Sequence, residues 1–254
     1  MLTVDHLSVS YRKDLQAVRD VSFCLEEGQW LMLCGPNGAG KTSVLHAITR
    51  TVPFSGSVIV MGKDLRTLSH RQLARNLGML SQVHSVNYAY TVEDIVRLGQ
   101  YAHRQGLLSS GNRHEEDRTQ EALTATGMLP FRSQSILTLS GGEVQRAFLA
   151  QVFAQNPAIL LLDEPANHLD LIYQKQIFGL IQSWLQVPGR AVLSVVHDLT
   201  LARRFGTHAI LMDQGTILTK GTIDAVFTPA HLNAAYHMDV YAWMRENLRV
   251  WSDS

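Results

Sequence analysis

Cysteine is scarce in this chain: Cys24 and Cys34 are the only two in 254 residues. That excludes a disulfide framework, and both thiols fall in apolar, strand-like stretches that suit a reducing compartment. An excess of one charge is also missing. Twenty-two basic residues balance 22 acidic ones, so no overall field draws the chain to nucleic acid or anionic lipid. Long apolar runs are absent too. A stretch such as 159–162 stops far short of a membrane span, which takes roughly 20 residues. The opening MLTVDHLSVSY has no charged stretch followed by an apolar one, so no signal peptide is expected. The 11 histidines show no metal-ligand spacing. Repeats, low-complexity stretches and long linkers do not occur. These absences leave a soluble chain, or one held at a membrane by another chain. Its length allows one large α/β domain, or a core with a small subdomain.

The apolar pattern sets out the organisation. Residues 3–9 alternate apolar and polar, 18–25 form another strand candidate, and Trp30–Cys34 is a short apolar strand feeding a Gly-rich turn. Residues 42–50 predict a helix with Val44, Leu45 and Ile48 on its apolar side, and 56–61 and 78–81 read again as strands. From about 91 to 138 the pattern is helical, and the charge-dense stretch 113–118 predicts a solvated face. A helix follows Gly142, and 158–162 is a buried strand. Leu171–Leu185 is a helix with Tyr173, Ile177, Leu180, Ile181 and Trp184 on one face, and 191–196 is a second buried strand. Strands alternating with helices predict a mostly parallel sheet covered on both faces. The tail 227–254 holds Pro229 and scattered aromatics, and no chemistry can be read there.

Residues 35–42, GPNGAGKT, fit the phosphate-loop pattern G-x-x-x-x-G-K-[ST] in full. Gly35, Gly38 and Gly40 let backbone N–H groups converge on phosphate oxygens at a helix N-terminus, whose dipole favours anions. Lys41 supplies a point charge to the β- and γ-phosphates, and the Thr42 hydroxyl reaches Mg²⁺. A second run, ILLLDEP at 159–165, ends in two carboxylates at the carboxyl end of a buried strand, where parallel sheets place their ligands. The pair can divide the work: Asp163 holds Mg²⁺ and Glu164 polarises the attacking water. Pro165 stops the strand. Ser140, Gly141 and Gly142 head a further helical pattern. They read either as a plain helix cap or as a second anion cradle.

Together these motifs resemble the ATP-binding cassette (ABC) ATPases, over nearly the whole chain and in the family's order. The run Gly35, Pro36, Asn37, Gly38, Ala39, Gly40, Lys41, Thr42, followed by Ser43, is similar to the Walker A loop. LSGGE at 139–143 is similar to the family signature, with Glu143 where Gln is more usual. ILLLDEP resembles Walker B, and NHLD at 167–170 resembles the D-loop, ending in Asp170. Gln82 resembles the Q-loop glutamine, which implies a catalytic role and a place beside Mg²⁺. His197 resembles the switch histidine, and Tyr11, just before the second strand, the aromatic that stacks on adenine. Ala166 departs from the usual Thr or Ser without removing an assigned role.

The resemblance implies an enzyme that hydrolyses ATP with Mg²⁺ as cofactor. It implies an α/β fold with a P-loop NTPase (RecA-like) core, an N-terminal antiparallel β region and an inserted α-helical subdomain. The whole of 1–254 is then a single ABC ATPase domain, with 1–90 and 156–254 as core and about 91–155 as helical subdomain. It also implies a homodimer in which the signature of one subunit completes the nucleotide site of the other, giving a second cradle its use.

The segment TVEDIVRLGQYAH at 91–103, with NHLD, is similar to the ATPase subunits of bacterial importers for iron–siderophore, haem and cobalamin. Such subunits work in pairs under two membrane permease subunits, at the cytoplasmic face of the membrane, and a separate solute-binding protein delivers cargo. The same segment also fits a surface helix with Val92, Ile95, Val96 and Leu98 packed inward. A soluble ABC ATPase acting on nucleic acid or ribosomes would carry a coiled-coil insertion, zinc-binding cysteines or a second cassette, and this sequence has none of them. Its balanced charge also lacks a nucleic-acid footprint. A small-molecule P-loop kinase would leave LSGGE and the D-loop without a job.

Overall fold

The computed structural model describes residues 1–12, 15–81, 88–103, 113–167 and 169–252. Gln82 and His168 lie outside them. The chain opens with the long hairpin β1 (Leu2–Arg12) and β2 (Leu15–Leu25), then enters β3 (Trp30–Cys34) and, after a loop, α1 (Lys41–Ile48). Next come β4 (Ser55–Val60), β5 (Lys63–Asp64), α2 (His70–Asn76) and β6 (Leu77–Leu80). A helical stretch follows, with α3 (Val92–Leu98), α4 (Arg113–Ala125) and α5 (Gly141–Gln155). The chain returns through β7 (Ile159–Asp163), α6 (Leu171–Leu185), β8 (Ala191–Val195), α7 (Leu199–Phe205), β9 (His208–Asp213) and β10 (Thr216–Thr222). It closes with α8 (Ile223–Val226), α9 (Pro229–Tyr236) and α10 (Val240–Ser252).

Two sheets result. The first is antiparallel, in the order β2-β1-β4-β5. The second runs β10-β9-β3-β8-β7-β6, parallel throughout except where β10 pairs with β9. The apolar runs of β3, β7, β8 and β9 are explained by burial on both faces. Leu31, Leu33, Leu161, Leu193 and Ile210 point into a core shared with the first sheet and α1. Their neighbours Met32, Leu160, Leu162, Val192 and Leu211 point into the opposite core, against α6 and the C-terminal helices. A strand buried on two sides has no polar face to alternate with.

A third core holds the helical stretch together, built on Val92, Val96, Leu123, Met128, Ala147 and Ala150. Arg132 braces it from outside, donating through Nε and Nη2 to the two Glu93 oxygens at 2.7 and 2.8 Å and also reaching Glu116. Leu98 does not join this packing. It is 54 % exposed, against the expectation that it faces inward, because α3 ends there and the chain continues as a 3-10 turn over Gly99–His103. Cys24 likewise departs from the apolar setting expected of it: it lies on the exposed face of β2, whereas Cys34 is buried. The β9–β10 hairpin carries only a local turn signal. Gln214 and Gly215 both adopt positive φ (45° and 81°), the geometry of a two-residue hairpin turn. The edge position of β10, with alternating exposure, kept its apolar content too low to mark it as a strand.

Candidate functional site

The carboxyl ends of β3 and β7 lie at the same level of the sheet, because Leu33 and Asp163 both pair with Val195 of β8. The turns that leave these two strands therefore meet at one edge. After β3 the chain turns through residues 35–40 into α1, and two glycines are required there by contact. A Cβ on Gly35 would stand 2.0 Å from the Met212 carbonyl oxygen, and one on Gly40 would stand 2.3 Å from that of Ala17. Both also hold positive φ, 139° and 93°, which costs glycine nothing. The loop's exit residue Gly40 is the N-cap of α1 and offers no side-chain cap, so the helix N-terminus remains available to an anion.

Lys41 folds back over this loop. Its Nζ donates to the carbonyls of Gly35 at 2.7 Å and Pro36 at 2.8 Å. Burial lowers the pKa of this ammonium group, opposed in part by Cys34 and by the nearby Glu164 and Asp163. The Thr42 hydroxyl donates to Asp163 Oδ1 at 3.1 Å. Burial raises the pKa of the Asp163 carboxyl, and Glu164 pushes the same way, while the Thr42 hydrogen bond opposes both. Ser43 pairs with the Tyr11 hydroxyl at 3.2 Å. Tyr11 itself lies at the end of β1, just before β2 as expected, and is half exposed.

Glu164 follows β7 in the left-handed region, φ 51°, and its N–H donates to the Val195 carbonyl at 3.1 Å. That turn aims its carboxylate across the edge of the sheet. Oε1 pairs with His197 Nε2 at 2.5 Å, and Oε2 accepts from Asn167 Nδ2 at 2.7 Å. His197 comes two residues after β8, so the strand itself carries it to the same edge. An open cleft of about 560 Å³ joins Tyr11, the phosphate loop, Lys41, Thr42, Glu164 and His197. A second cavity of about 570 Å³ shares Asn37, Glu164 and His197 with this cleft and is lined also by Asn167 and Gln174.

Ser140, Gly141, Gly142 and Asp170 are not among the residues lining the cleft. Ser140 caps α5 in a reciprocal box: its hydroxyl accepts from the Glu143 N–H, and Glu143 accepts from the Ser140 N–H and hydroxyl, both at 2.8 Å. Glu143 at the unusual position thus completes a cap, and these bonds hold its carboxyl below the usual range. Gly142 lies against the Tyr173 ring, where a Cβ would approach to 2.5 Å. Asp170 caps α6 by accepting from the Tyr173 N–H at 3.0 Å. Gln82 falls outside the described residues.

One contact was invisible in the sequence. Tyr236, the last residue of α9, accepts the Gly35 N–H on its hydroxyl at 3.2 Å. The tail that offered no chemistry therefore touches the first residue of the phosphate loop. No local pattern marks a bond between residues so far apart.

A cradle of N–H groups and an ammonium faces a polyphosphate well. Two adjacent carboxylates at its side suit a divalent cation and a proton acceptor. Comparisons agree with that chemistry. The ABC transporter family model matches residues 18–167. The chain is 38 % identical over 235 residues to YvrA of Bacillus subtilis strain 168, an uncharacterized ABC transporter ATP-binding protein, covering 92 % of this chain and 53 % of that one. It thus spans about half the length of that relative. It is 34 % identical over 241 residues to the iron(3+)-hydroxamate import ATP-binding protein FhuC of the same strain, covering 94 % and 88 %. It is 37 % identical over 246 residues to the hemin import ATP-binding protein HmuV of Pseudomonas entomophila strain L48, covering 94 % of each. Among solved structures, the dimeric ATP-binding cassette MJ0796 in a post-hydrolysis state with ADP and phosphate shares the fold, with a TM-score of 0.77 at 24 % identity, covering 88 % of this chain and 99 % of that one.

Proposed function

Since this chain belongs to the ABC transporter family, we propose that it is the ATP-hydrolysing subunit of a bacterial importer, driving uptake of an iron chelate, haem or cobalamin through a separate permease. One observation carries the hydrolytic part: a single cleft gathers the phosphate loop, Lys41, Glu164 and His197, with Thr42 bonded to Asp163 at 3.1 Å beside it. In this reading residues 35–43 wrap the phosphates, Lys41 neutralises them, and Tyr11 meets the adenine. Glu164 accepts a proton from the attacking water, oriented by His197.

Thr42 and Asp163 offer hard oxygens at the edge of the phosphate loop, which fits Mg²⁺. They would hold it, with Gln82 as a further ligand, and the ion would offset phosphate charge during hydrolysis.

The partners follow from exposed apolar surface. Tyr88, Leu98 and Tyr101 are 71 %, 54 % and 69 % exposed, apolar surface that would suit a permease rather than water. Leu171 and Ile172, at the start of α6 beside Asp170, are 81 % and 68 % exposed and would meet a second copy. Ser140, Gly141, Gly142 and Asp170 then complete the partner's nucleotide site. Among the described residues no helix is long and apolar enough to cross a membrane. The subunit is then held at the cytoplasmic face by the permease, with a solute-binding protein delivering cargo on the other side. Residues 1–90 and 156–254 would act as the catalytic core and about 91–155 as the helical subdomain that meets the permease.

The cargo assignment is supported by the import proteins for iron(3+)-hydroxamate and hemin among the relatives. Expression with its candidate permease provides the test. The chain should co-purify with that polytopic protein, and its ATPase rate in proteoliposomes should rise with the loaded binding protein. Co-purification with nucleic acid and no permease binding would sink the importer reading.

A further inference from the structure

Gly35 opens the phosphate loop, and side chains take both of its backbone polar groups. Its carbonyl accepts from Lys41 Nζ at 2.7 Å, and its N–H donates to the Tyr236 hydroxyl at 3.2 Å. These bonds reach it from within the loop and from the end of α9. Gly35 is also pressed against the Met212 carbonyl, with no room even for a Cβ. Its position is therefore fixed by β9 and by α9 together.

The end of α9 is itself anchored. His237 turns the chain with φ 55°, and its Nε2 lies 3.7 Å from Asp213 Oδ2 at the end of β9. Burial raises the pKa of the Tyr236 phenol, with Cys34 pushing the same way, so the hydroxyl stays neutral. Lys41 now commits its Nζ to the Gly35 and Pro36 carbonyls. Two of its three N–H donors are used there, which leaves one for a phosphate. Tyr236 is the second side chain that anchors Gly35, holding its N–H while Lys41 holds its carbonyl.

We propose that Tyr236 is a positioning residue for the phosphate loop, so that helix α9 sets the affinity of the nucleotide site. This rests on the nucleotide reading of the cleft and extends it to a residue beyond the stretch 18–167 that the family model matches.

Tyr236→Phe removes one oxygen and keeps the ring. Losing the bond should raise the Kd and KM for MgATP by about three- to tenfold, the worth of one neutral hydrogen bond, while kcat stays within about twofold. A variant whose melting temperature drops while Kd and KM stay at wild-type values would show a purely structural role and overturn the inference. Lys41→Ala, measured alongside, separates the two readings. If it binds MgATP like the wild type, the nucleotide reading of the cleft falls. If Lys41→Ala loses binding and Tyr236→Phe changes nothing, this inference alone falls. Should Tyr236→Phe not fold, amide exchange on the unaltered chain decides. The Gly35 N–H must be protected and remain so on saturation with MgATP, and loss of that protection overturns the inference.

Discussion

Thr42 and Asp163 stand 121 positions apart in the chain, yet the Thr42 hydroxyl donates to the Asp163 carboxylate at 3.1 Å. Sheet register makes this contact, since Leu33 and Asp163 share Val195 as a pairing partner on β8. The pairing gives a direct test of the metal assignment. Asp163→Asn keeps the side chain's size and its capacity to accept from Thr42, but removes a charge. ATP affinity measured with Mg²⁺ should fall by about tenfold or more, by analogy with losses at metal-site partners, while affinity measured in EDTA should hold or improve. A variant that responds to Mg²⁺ like the wild type would remove Asp163 from the metal site.

Glu164 is the candidate proton acceptor, held by His197 at one oxygen and Asn167 at the other. Glu164→Gln preserves shape and loses the basic oxygen. ATP should still bind, and single-turnover hydrolysis should slow by about 10²–10⁴-fold, the usual contribution of a general base. Near-normal turnover in this variant would assign the proton to another group.

How much of this was legible beforehand depended on distance along the chain. The phosphate loop is a contiguous pattern whose glycines answer local demands, so residues 35–42 could be read directly. Asp163 and Glu164 were readable because a two-sided buried strand leaves a long apolar signature that ends abruptly in charge. The parallel sheet followed from the alternation of such strands with helices. The contact of Tyr236 was not legible, since the fold alone brings it to the Gly35 N–H 201 positions away; that of Asn167 with Glu164 spans three positions but depends on the left-handed turn at Glu164. Ser140 was ambiguous for another reason: one Ser-Gly-Gly turn serves as well for a cap as for a phosphate site. Its cap is present in this chain, and capping leaves open a further role toward another chain.

Arg132 ties α3 to α4 through Glu93 and Glu116. The Arg132 hydrogen bonds hold the carboxyls of Glu93 and Glu116 below the usual range. A group with a depressed folded pKa stabilises the fold above its ordinary value, and that stabilisation is lost as pH falls through the folded value. Arg132→Ala should therefore lower the melting temperature at pH 7 by about 2–4 °C. The gap between variant and wild type should start to narrow below about pH 4 and close as pH falls through the depressed folded values of the two carboxyls. A gap independent of pH would mean that Arg132 acts by packing alone.

The last prediction concerns where the Ser140 turn acts. Ser140 and Gly141 do not line the cleft of their own chain. If they complete the cleft of a second copy, each nucleotide lies between two chains. Consider a dimer with Lys41→Ala in one chain and Ser140→Arg in the other. Under the two-chain arrangement both lesions fall in the same site, and the other site is chemically whole. Under a one-chain arrangement each site carries one lesion and neither is whole. Each homodimer is damaged at both sites in either case, so the mixed species alone discriminates. Nucleotide trapping on separately tagged chains should find one competent site, on the chain that retains Lys41. Trapping is preferable to transport as a readout, because transport can demand both sites. If the mixed dimer traps no more nucleotide than the homodimers, Ser140 is a helix cap and nothing else. The exposure of Leu171 and Ile172 beside Asp170 favours the two-chain outcome, since a docking partner would remove both from water.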